Sequence, residues 1–299
     1  SMSMGCEGTA IAEIGEMYEA GVVAISDGDE FIDSAALMRN VMRYSRMFDL
    51  PIMTHCEDRS LSGKGVMNEG YTASCLGLSG MPREAEELQV ARNILLAEIT
   101  GARLHIAHVS TGGSVRMVRD AKKRDLQVTC ETCPHYFALT EEAVEDYNTF
   151  AKVNPPLRTQ EDVEAILEGI ADGTIDAIAS GHSPTSRTDK DKEFGNAAYG
   201  ISALETAFSI SFTRLVETGI ISLARLVELM SKKPAEILKL EQKGEIAVGK
   251  DADLIVIETK GTQIIEPELF ASKAKFSPFA GQEVKGRVVY TIVGGKIVS

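Results

Sequence analysis

The chain has 299 residues, 44% of them hydrophobic and 25% charged, which is the composition of a globular protein with room for one α/β domain and a small appendage. Its formal net charge of −13 argues against nucleic acid or an anionic membrane as a partner, because both require basic surface. Five cysteines, an odd number without framework spacing, predict a reducing, cytoplasmic location.

The first part of the chain alternates helical and strand patterns. Apolar residues recur at helical spacing over 8–20, and the apolar strand VVAIS follows. A second helix is predicted over 33–50, with Asp33 and Ser34 as candidate caps. The next strand, PIMTHCED, carries His55 near its carboxyl end. The glycine- and serine-rich loop 60–80 is too long for a simple connector, so we expect it to fold over a site.

The middle of the chain repeats this alternation. A helix is predicted to open at Pro82 and to end at Gly101, and another to open at Ser114, with the strand LHIAH between them. The strand QVTCETCP comes next, and Thr159 with Asp162 forms a candidate capping box for the helix before the strand DAIAS. Five strand and helix units of this kind predict a parallel sheet with right-handed crossovers.

The end of the chain has a different character. An amphipathic segment over 223–240 precedes short strands rich in valine and isoleucine, which are separated by glycine turns. We therefore expect a barrel-like α/β domain over 1–240 and a small C-terminal β module over 241–299.

Polar residues lie at the carboxyl ends of the predicted strands. Side chains alternate along a strand, so His105 and His108 point to opposite sides, and the terminal His108 is the better functional candidate. Equivalent positions on the other strands hold Asp27, Asp29, His55 and His182. Each residue alone is best explained as structural. Because strand ends converge on one mouth in a barrel, their recurrence predicts a metal site.

Several longer motifs point to a family. THCED, HIAHVSTGGS, ETCPHYF, VNPPLR, GHSP and GEIAVGKDADLIVIE resemble segments of the dihydroorotases of the amidohydrolase superfamily, and the resemblance spans almost the whole chain. It implies a TIM (β/α) barrel with two zinc ions that interconverts dihydroorotate and carbamoyl aspartate in pyrimidine biosynthesis. A strand-end aspartate moves the proton in that family.

The resemblance also assigns roles to individual residues. His55 and His108 match the two histidines that bind one zinc of the pair, and Asn154 and Gly200 match positions that contact the substrate. His105 then has a structural role. His135 matches a position to which no ligand role is assigned.

The departures from the family pattern concern its catalytic groups. The chain resembles strands 4 to 8 of the barrel, so the His-x-His pair and the carboxylate-binding arginine of the first strand have no match. Gly28 stands at the position of a metal-binding aspartate, which leaves Asp29 or Asp27 as candidate ligands. Gly181 stands at the position of the proton-shuttling aspartate, and Thr185 at that of a histidine.

Three functions fit this pattern. The first is a dihydroorotase, truncated or substituted, that acts on dihydroorotate. The second is a non-catalytic dihydroorotase-like subunit that serves as an interaction module, for example beside aspartate transcarbamoylase. A hydantoinase or allantoinase is disfavoured, because those enzymes carry a carboxylated lysine on the fourth strand and VVAISDGD has none.

The sequence therefore predicts an incomplete TIM (β/α) barrel of the metal-dependent hydrolase type with a C-terminal β module. We expect an open sheet edge and self-association into a homo-oligomer. We also expect at most one weakly held zinc and little or no hydrolysis of dihydroorotate.

Overall fold

The computed structural model describes residues 1–299, in which short strands alternate with longer helices. The strands are β1 (Ile52–Thr54), β2 (Met67–Asn68), β3 (Gly80–Met81), β4 (Leu104–Ile106), β5 (Val128–Thr132), β6 (Ala177–Ile178), β7 (Leu254–Ile264), β8 (Glu283–Val293) and β9 (Lys296–Ile297). The helices are α1 (Ile14–Glu19), α2 (Ala35–Arg46), α3 (Arg59–Ser62), α4 (Tyr71–Leu76), α5 (Glu84–Thr100), α6 (Gly112–Lys123), α7 (Pro134–Ala138), α8 (Gln160–Ala171), α9 (Arg187–Lys190), α10 (Ala207–Ser211), α11 (Leu223–Val227) and α12 (Lys233–Ile237). Single π-helical turns over Phe212–Val216 and Glu228–Lys232 follow α10 and α11.

Local capping explains where the main helices begin and end. The hydroxyl of Ser34 accepts a hydrogen bond from the Leu37 backbone N–H at the start of α2, and the hydroxyl of Thr159 accepts one from Asp162 at the start of α8. Such caps each contribute about 1 kcal/mol. Helix α5 ends at Gly101, whose φ of +67° suits glycine.

The central sheet is parallel and has the strand order β1-β4-β5-β6. Ile52 pairs with Leu104, and Leu104 pairs in turn with Val128. The sheet does not close into a barrel, which confirms the predicted open α/β fold. The predicted strand VVAIS adds only one bridge to the sheet, between Ile25 and Ile52.

The core lies between this sheet and the helices that cover it. Helix α2 packs against α5, and α6 packs against both α5 and α8. The strand residues Ile52 and Ile106 are fully buried, as are Val118 of α6 and Ile166 of α8. Each such side chain stabilises the fold by about 1.5–3 kcal/mol, so the apolar spacing of the helices holds the strand ends in place.

The long segment after β1 has structure of its own. It folds into α3, α4 and the parallel pair β2 and β3. Met67 and Ala73 of this segment belong to a second apolar cluster with Tyr136, Val153 and Phe194, which lies beside the carboxyl ends of the central strands. The segment therefore forms part of the wall around the strand ends.

The C-terminal strands form an antiparallel sheet in which β8 pairs with both β7 and β9. Val284 and Phe279 pack with Ile210 of α10, which attaches this module to the rest of the chain. The predicted β module is thus confirmed, and the boundary after residue 240 falls between α12 and β7. None of the helices combines the length and the apolar character needed to cross a membrane.

Candidate active site

A cavity of about 480 Å³ opens at the carboxyl ends of the central strands. His108 follows β4, Glu131 belongs to β5, and Gly181 with His182 follows β6. Asn154 lines the cavity from the connection between α7 and α8. The strand ends therefore converge as the sequence pattern implies for a β/α fold.

Two imidazoles face each other in this region. Nδ1 of His55 lies 3.2 Å from Nε2 of His108, and the ring centroids are 4.9 Å apart. The backbone of His108 has φ of +40°, a strained value for a residue with a side chain, and strain of this kind is often found at functional positions. Burial and the neighbouring His55 lower the pKa of His108 well below its usual value, so its ring is neutral at pH 7.

Glu57 orients the first of these histidines. Its carboxylate accepts hydrogen bonds from Nε2 of His55 at 3.0 Å, from the hydroxyl of Ser62 at 2.6 Å and from Nδ2 of Asn154 at 2.8 Å. Burial alone would raise the pKa of Glu57, but these hydrogen bonds outweigh it and lower the pKa to about 2. Because Nε2 of His55 donates to the carboxylate, its Nδ1 lone pair points at His108.

The histidine pair fits part of a zinc site. Two nitrogens at about 2.0–2.1 Å from a tetrahedral zinc lie about 3.3–3.4 Å apart, close to the separation of 3.2 Å observed here. A carboxylate bonded to the outer nitrogen of a histidine ligand is also usual at such sites. The structure, however, contains no group of three His, Cys, Asp or Glu residues arranged to hold a metal ion. The residues therefore fit two ligands of one zinc, and they do not fit a binuclear centre.

The two aspartates near the first strand end differ in their surroundings. Asp27 is buried, and its carboxylate accepts hydrogen bonds from the backbone N–H groups of Met2 and Ser3 and from the Ser3 hydroxyl. Asp29 is exposed and lines the cavity. Between them Gly28 has open space on its side-chain side. Asp29 is therefore the aspartate with oxygens free to face the cavity.

Gly181 has no room for a side chain. A Cβ atom built on it would lie 2.5 Å from Cε1 of His135 and 2.9 Å from Sγ of Cys133, and real Cβ atoms essentially never come closer than 3.0 Å to a neighbour. Its φ is +62°, which glycine adopts readily and other residues adopt at a cost. Backbone and packing thus both require glycine at this strand end.

The imidazole beside Gly181, that of His135, is neutral at neutral pH. Burial lowers the pKa of His135 to about 3, and its Nδ1 has no hydrogen-bond partner. Nδ1 of His182 accepts hydrogen bonds from the backbone N–H groups of Ala203 and Leu204, at 3.1 Å and 3.2 Å. His182 therefore secures the chain after β6, and His135 is a neutral ring in the cavity wall.

Asn154 and Gly200 both line the cavity. The carbonyl oxygen of the Asn154 side chain is buried and has no partner. Gly200 has φ of +106°, and a Cβ atom there would overlap the carbonyl oxygen of Ser183. His105 lies outside the cavity lining, with Nδ1 2.8 Å from the Thr129 hydroxyl.

The sequence did not single out Glu57 or Lys152. Glu57 lies two residues after His55 in THCED, so its position could have indicated that its carboxylate bonds the histidine ring. Lys152 lies just before the VNPPLR motif but makes its side-chain contacts with residues 194–197, more than 40 positions away. Contacts at that separation are visible only in the folded chain.

The chain is similar to known proteins over nearly its full length. The sequence model of the amidohydrolase family matches residues 9–298. The dihydroorotase of Caldanaerobacter subterraneus subsp. tengcongensis is 50% identical over 297 residues, which cover 99% of this chain and 68% of the relative. The dihydroorotase of Acetivibrio thermocellus is 48% identical over 298 residues, which cover 100% of this chain and 70% of the relative.

Solved structures share the fold. The L-hydantoinase (dihydropyrimidinase) of Arthrobacter aurescens superposes with a TM-score of 0.85 at 29% identity, covering 96% of this chain and 67% of that structure. The dihydropyrimidinase of Brevibacillus agri superposes with a TM-score of 0.84 at 24% identity, covering 94% of this chain and 64% of that structure. The chain therefore spans about two thirds of the length of these structures.

Proposed function

The chain belongs to the amidohydrolase family, as a dihydroorotase-like cyclic amidohydrolase, and on that premise we propose that it binds dihydroorotate but hydrolyses it poorly. The proposed setting is pyrimidine biosynthesis in the cytoplasm. The cavity at the strand ends is the proposed binding site, with Asn154 and Gly200 as substrate contacts. Gly181 is the observation that carries the proposed impairment.

Poor hydrolysis follows from the loss of the aspartate that transfers the proton in the family. Opening a cyclic amide requires a proton for the leaving nitrogen, and the family motif places an aspartate at the position of Gly181. Glycine cannot carry that proton, and a side chain at this position would clash with His135 and Cys133. Neutral His135 does not supply the proton at pH 7. General acid or base catalysis is worth roughly 10²–10⁴ in rate, so this loss alone is large.

The metal complement adds to the impairment. His55 and His108 would hold one zinc, with Glu57 orienting His55. Zinc there would supply Lewis-acid polarisation of the ring carbonyl. Asp29 is the proposed additional ligand, because it lines the cavity together with His108, whereas Asp27 is hydrogen-bonded to Ser3. Such a site holds at most one zinc, and weakly.

A titration with dihydroorotate tests the binding part of this proposal. We expect calorimetry to detect binding to the zinc-supplemented chain, and Asn154→Ala to weaken it, because the unpartnered side-chain oxygen of Asn154 is then lost from the wall. Asn40→Ala is the matched control, since Asn40 is exposed on α2 and lies outside the cavity lining. Equal affinities for the two variants would contradict the assignment of Asn154.

Gly181 also favours a second function, that of a non-catalytic subunit. A chain that keeps the fold and the cavity but lacks the proton-transfer group is suited to act as a non-catalytic subunit, in a homo-oligomer or beside aspartate transcarbamoylase. Light scattering of the chain, alone and mixed with aspartate transcarbamoylase, measures the mass of any assembly that forms. A monodisperse monomer that leaves the transcarbamoylase unchanged would contradict the subunit function.

A further inference from the structure

Two lysines are buried behind the substrate wall without an acidic partner. Lys152 and Lys190 have relative exposures of 2% and 0%, and neither forms a salt bridge. The ammonium of Lys152 donates to three backbone carbonyls, at 2.7 Å to Phe194, 3.1 Å to Gly195 and 2.7 Å to Ala197. All three N–H donors of this ammonium therefore bond the single short segment 194–197.

This arrangement is costly, so packing alone does not explain it. Burial lowers the pKa of Lys152 to about 8, and burial together with the nearby Lys152 ammonium lowers that of Lys190 to about 7. Methionine would fill a similar volume without that cost. What methionine cannot do is hold three carbonyl groups at a common point.

The same lysines connect that segment to the substrate contacts. The N–H of Gly200 donates to the backbone carbonyl of Lys152 at 2.9 Å, and the ammonium of Lys190 donates to that carbonyl at 3.1 Å. The ring of Tyr199 lies under the Lys152 ammonium at 4.6 Å. Asn154 follows two residues later along the chain. Asn154 and Gly200 are thus fixed relative to one another through Lys152.

We propose that Lys152 is a positioning residue for the cyclic substrate, which holds the segment 194–200 against the strand-end wall so that Gly200 and Asn154 face the cavity together. This inference rests on the proposed function, because Asn154 and Gly200 are taken there as substrate contacts. We call this contact between the Lys152 ammonium and segment 194–200 the clamp. Lys190 supports it, because its ammonium donates to the backbone carbonyls of Lys152 and Thr149. The clamp acts without touching His55 or His108.

Hydrogen exchange tests the clamp independently of any ligand. Lys152→Met is expected to speed exchange of the amides over 194–198, and to a smaller extent that of Gly200, whose bond to the backbone carbonyl of residue 152 is retained. Exchange in β4 stays as in the unchanged chain. Lys192→Met is the matched control, because Lys192 is exposed and pairs only with Asp189. Unchanged exchange over 194–200 in Lys152→Met would overturn the proposal.

Two titrations separate positioning from general destabilisation. Lys152→Met is expected to lower affinity for dihydroorotate about tenfold, the order expected when one hydrogen bond is lost from a site, and to leave zinc affinity unchanged. A parallel loss of zinc and dihydroorotate affinity would mean a merely structural lysine and would overturn the inference. If the unchanged chain binds no dihydroorotate, the proposed function fails, and the exchange result still decides whether the clamp exists.

Lys190→Met keeps the test decisive if Lys152→Met does not fold. This variant removes only the hydrogen bonds to the Thr149 and Lys152 carbonyls, so the expected rise in exchange is smaller than in Lys152→Met and is confined to 149–154 and 194–200. Exchange in those two segments that equals the Lys192→Met control would count against the clamp.

Discussion

The imidazole of His135 fills the space beside Gly181, with its Cε1 only 2.5 Å from the place where a Cβ atom on that glycine would lie. His135 is itself buried, and its ring packs against that of Tyr136 at a centroid distance of 4.2 Å. The ring therefore has little freedom to move aside. The site is adapted to glycine at the strand end where the dihydroorotase motif carries an aspartate.

Restoring the aspartate should therefore not restore activity. Gly181→Asp is expected to lower the free energy of unfolding by about 2–5 kcal/mol, from overpacking and backbone strain together. Gly28→Asp is the matched control, since Gly28 also has a positive φ of +69° but open space around its side-chain position, and its cost should be about 1 kcal/mol. Urea denaturation measures both, and equal costs would contradict the packing account.

A double-mutant cycle can assign the clash to His135. Gly181→Ala adds the Cβ atom alone, and His135→Ala removes the ring that it would meet. We expect the double variant to be more stable than the sum of the single variants by about 0.5–3 kcal/mol. Strict additivity in denaturation experiments would show that the ring of His135 does not limit the space at residue 181.

The zinc content of the chain should be low. After dialysis against a mild chelator, elemental analysis is expected to find about one zinc per chain or less, since His55 and His108 lack a full ligand set. His55→Ala and His108→Ala should each remove it. Gly28→Asp adds a carboxylate at the position of the family ligand, so it should raise zinc retention. Two tightly retained equivalents in the unchanged chain would refute this view of the site.

The buried lysines predict a specific pH dependence. The folded pKa of Lys190 is about 7, below the 10.5 of an ordinary lysine, so the folded chain binds fewer protons than the unfolded chain between these values. The penalty of burying the ammonium is fully present below pH 7 and disappears as the pH rises toward 10.5. The stability of the unchanged chain relative to Lys190→Met should therefore increase over pH 7–10. The stability difference between the unchanged chain and Lys192→Met should not change with pH. If the difference between the unchanged chain and Lys190→Met is also independent of pH, the burial argument is wrong.

Arg158 should be essential to the wall beneath the cavity. Its buried guanidinium donates to the Ser110 hydroxyl at 3.1 Å, to the Asn68 side chain at 2.9 Å and to the Met81 carbonyl at 3.0 Å. It also lies 3.9 Å from the buried carboxylate of Glu86. Arg158→Met removes this cation from the buried Glu86 carboxylate, which keeps only its hydrogen bonds from Ser110 and Thr111, so we expect a loss of about 3–5 kcal/mol.

The control for Arg158 is an exposed pair of the same type. Arg187 bonds Asp191 one helical turn away at the surface, and Arg187→Met should cost less than about 1 kcal/mol. Urea denaturation measures the free energy of unfolding of both methionine variants. Similar losses would show that the buried polar network around Arg158 stabilises the fold no more than the exposed pair does.

Local signals in the sequence predicted the elements of the fold well. Caps such as Ser34 and Thr159 and the stop at Gly101 act within one turn of the chain, so they are readable before folding. The strand VVAIS was predicted equally clearly but forms only the bridge at Ile25. Whether a strand extends depends on its neighbours in the sheet, which periodicity does not report.

The site was predictable where motifs describe it and not where distant contacts build it. The facing of His55 and His108 follows from their positions after neighbouring strands β1 and β4. The enclosure of Gly181 by His135 depends on how α7 packs beside the end of β6, and no pattern in the sequence records that distance. The clamp at Lys152 is likewise a product of tertiary structure.

The most direct test of the account is a carbamoyl aspartate assay on the purified chain with zinc supplied, run beside its His55→Ala and His108→Ala variants. The account predicts no turnover of dihydroorotate that depends on zinc, and therefore no difference among the three proteins, because Gly181 cannot transfer the proton and the zinc site is incomplete. Zinc-dependent turnover that either histidine substitution abolishes would contradict it.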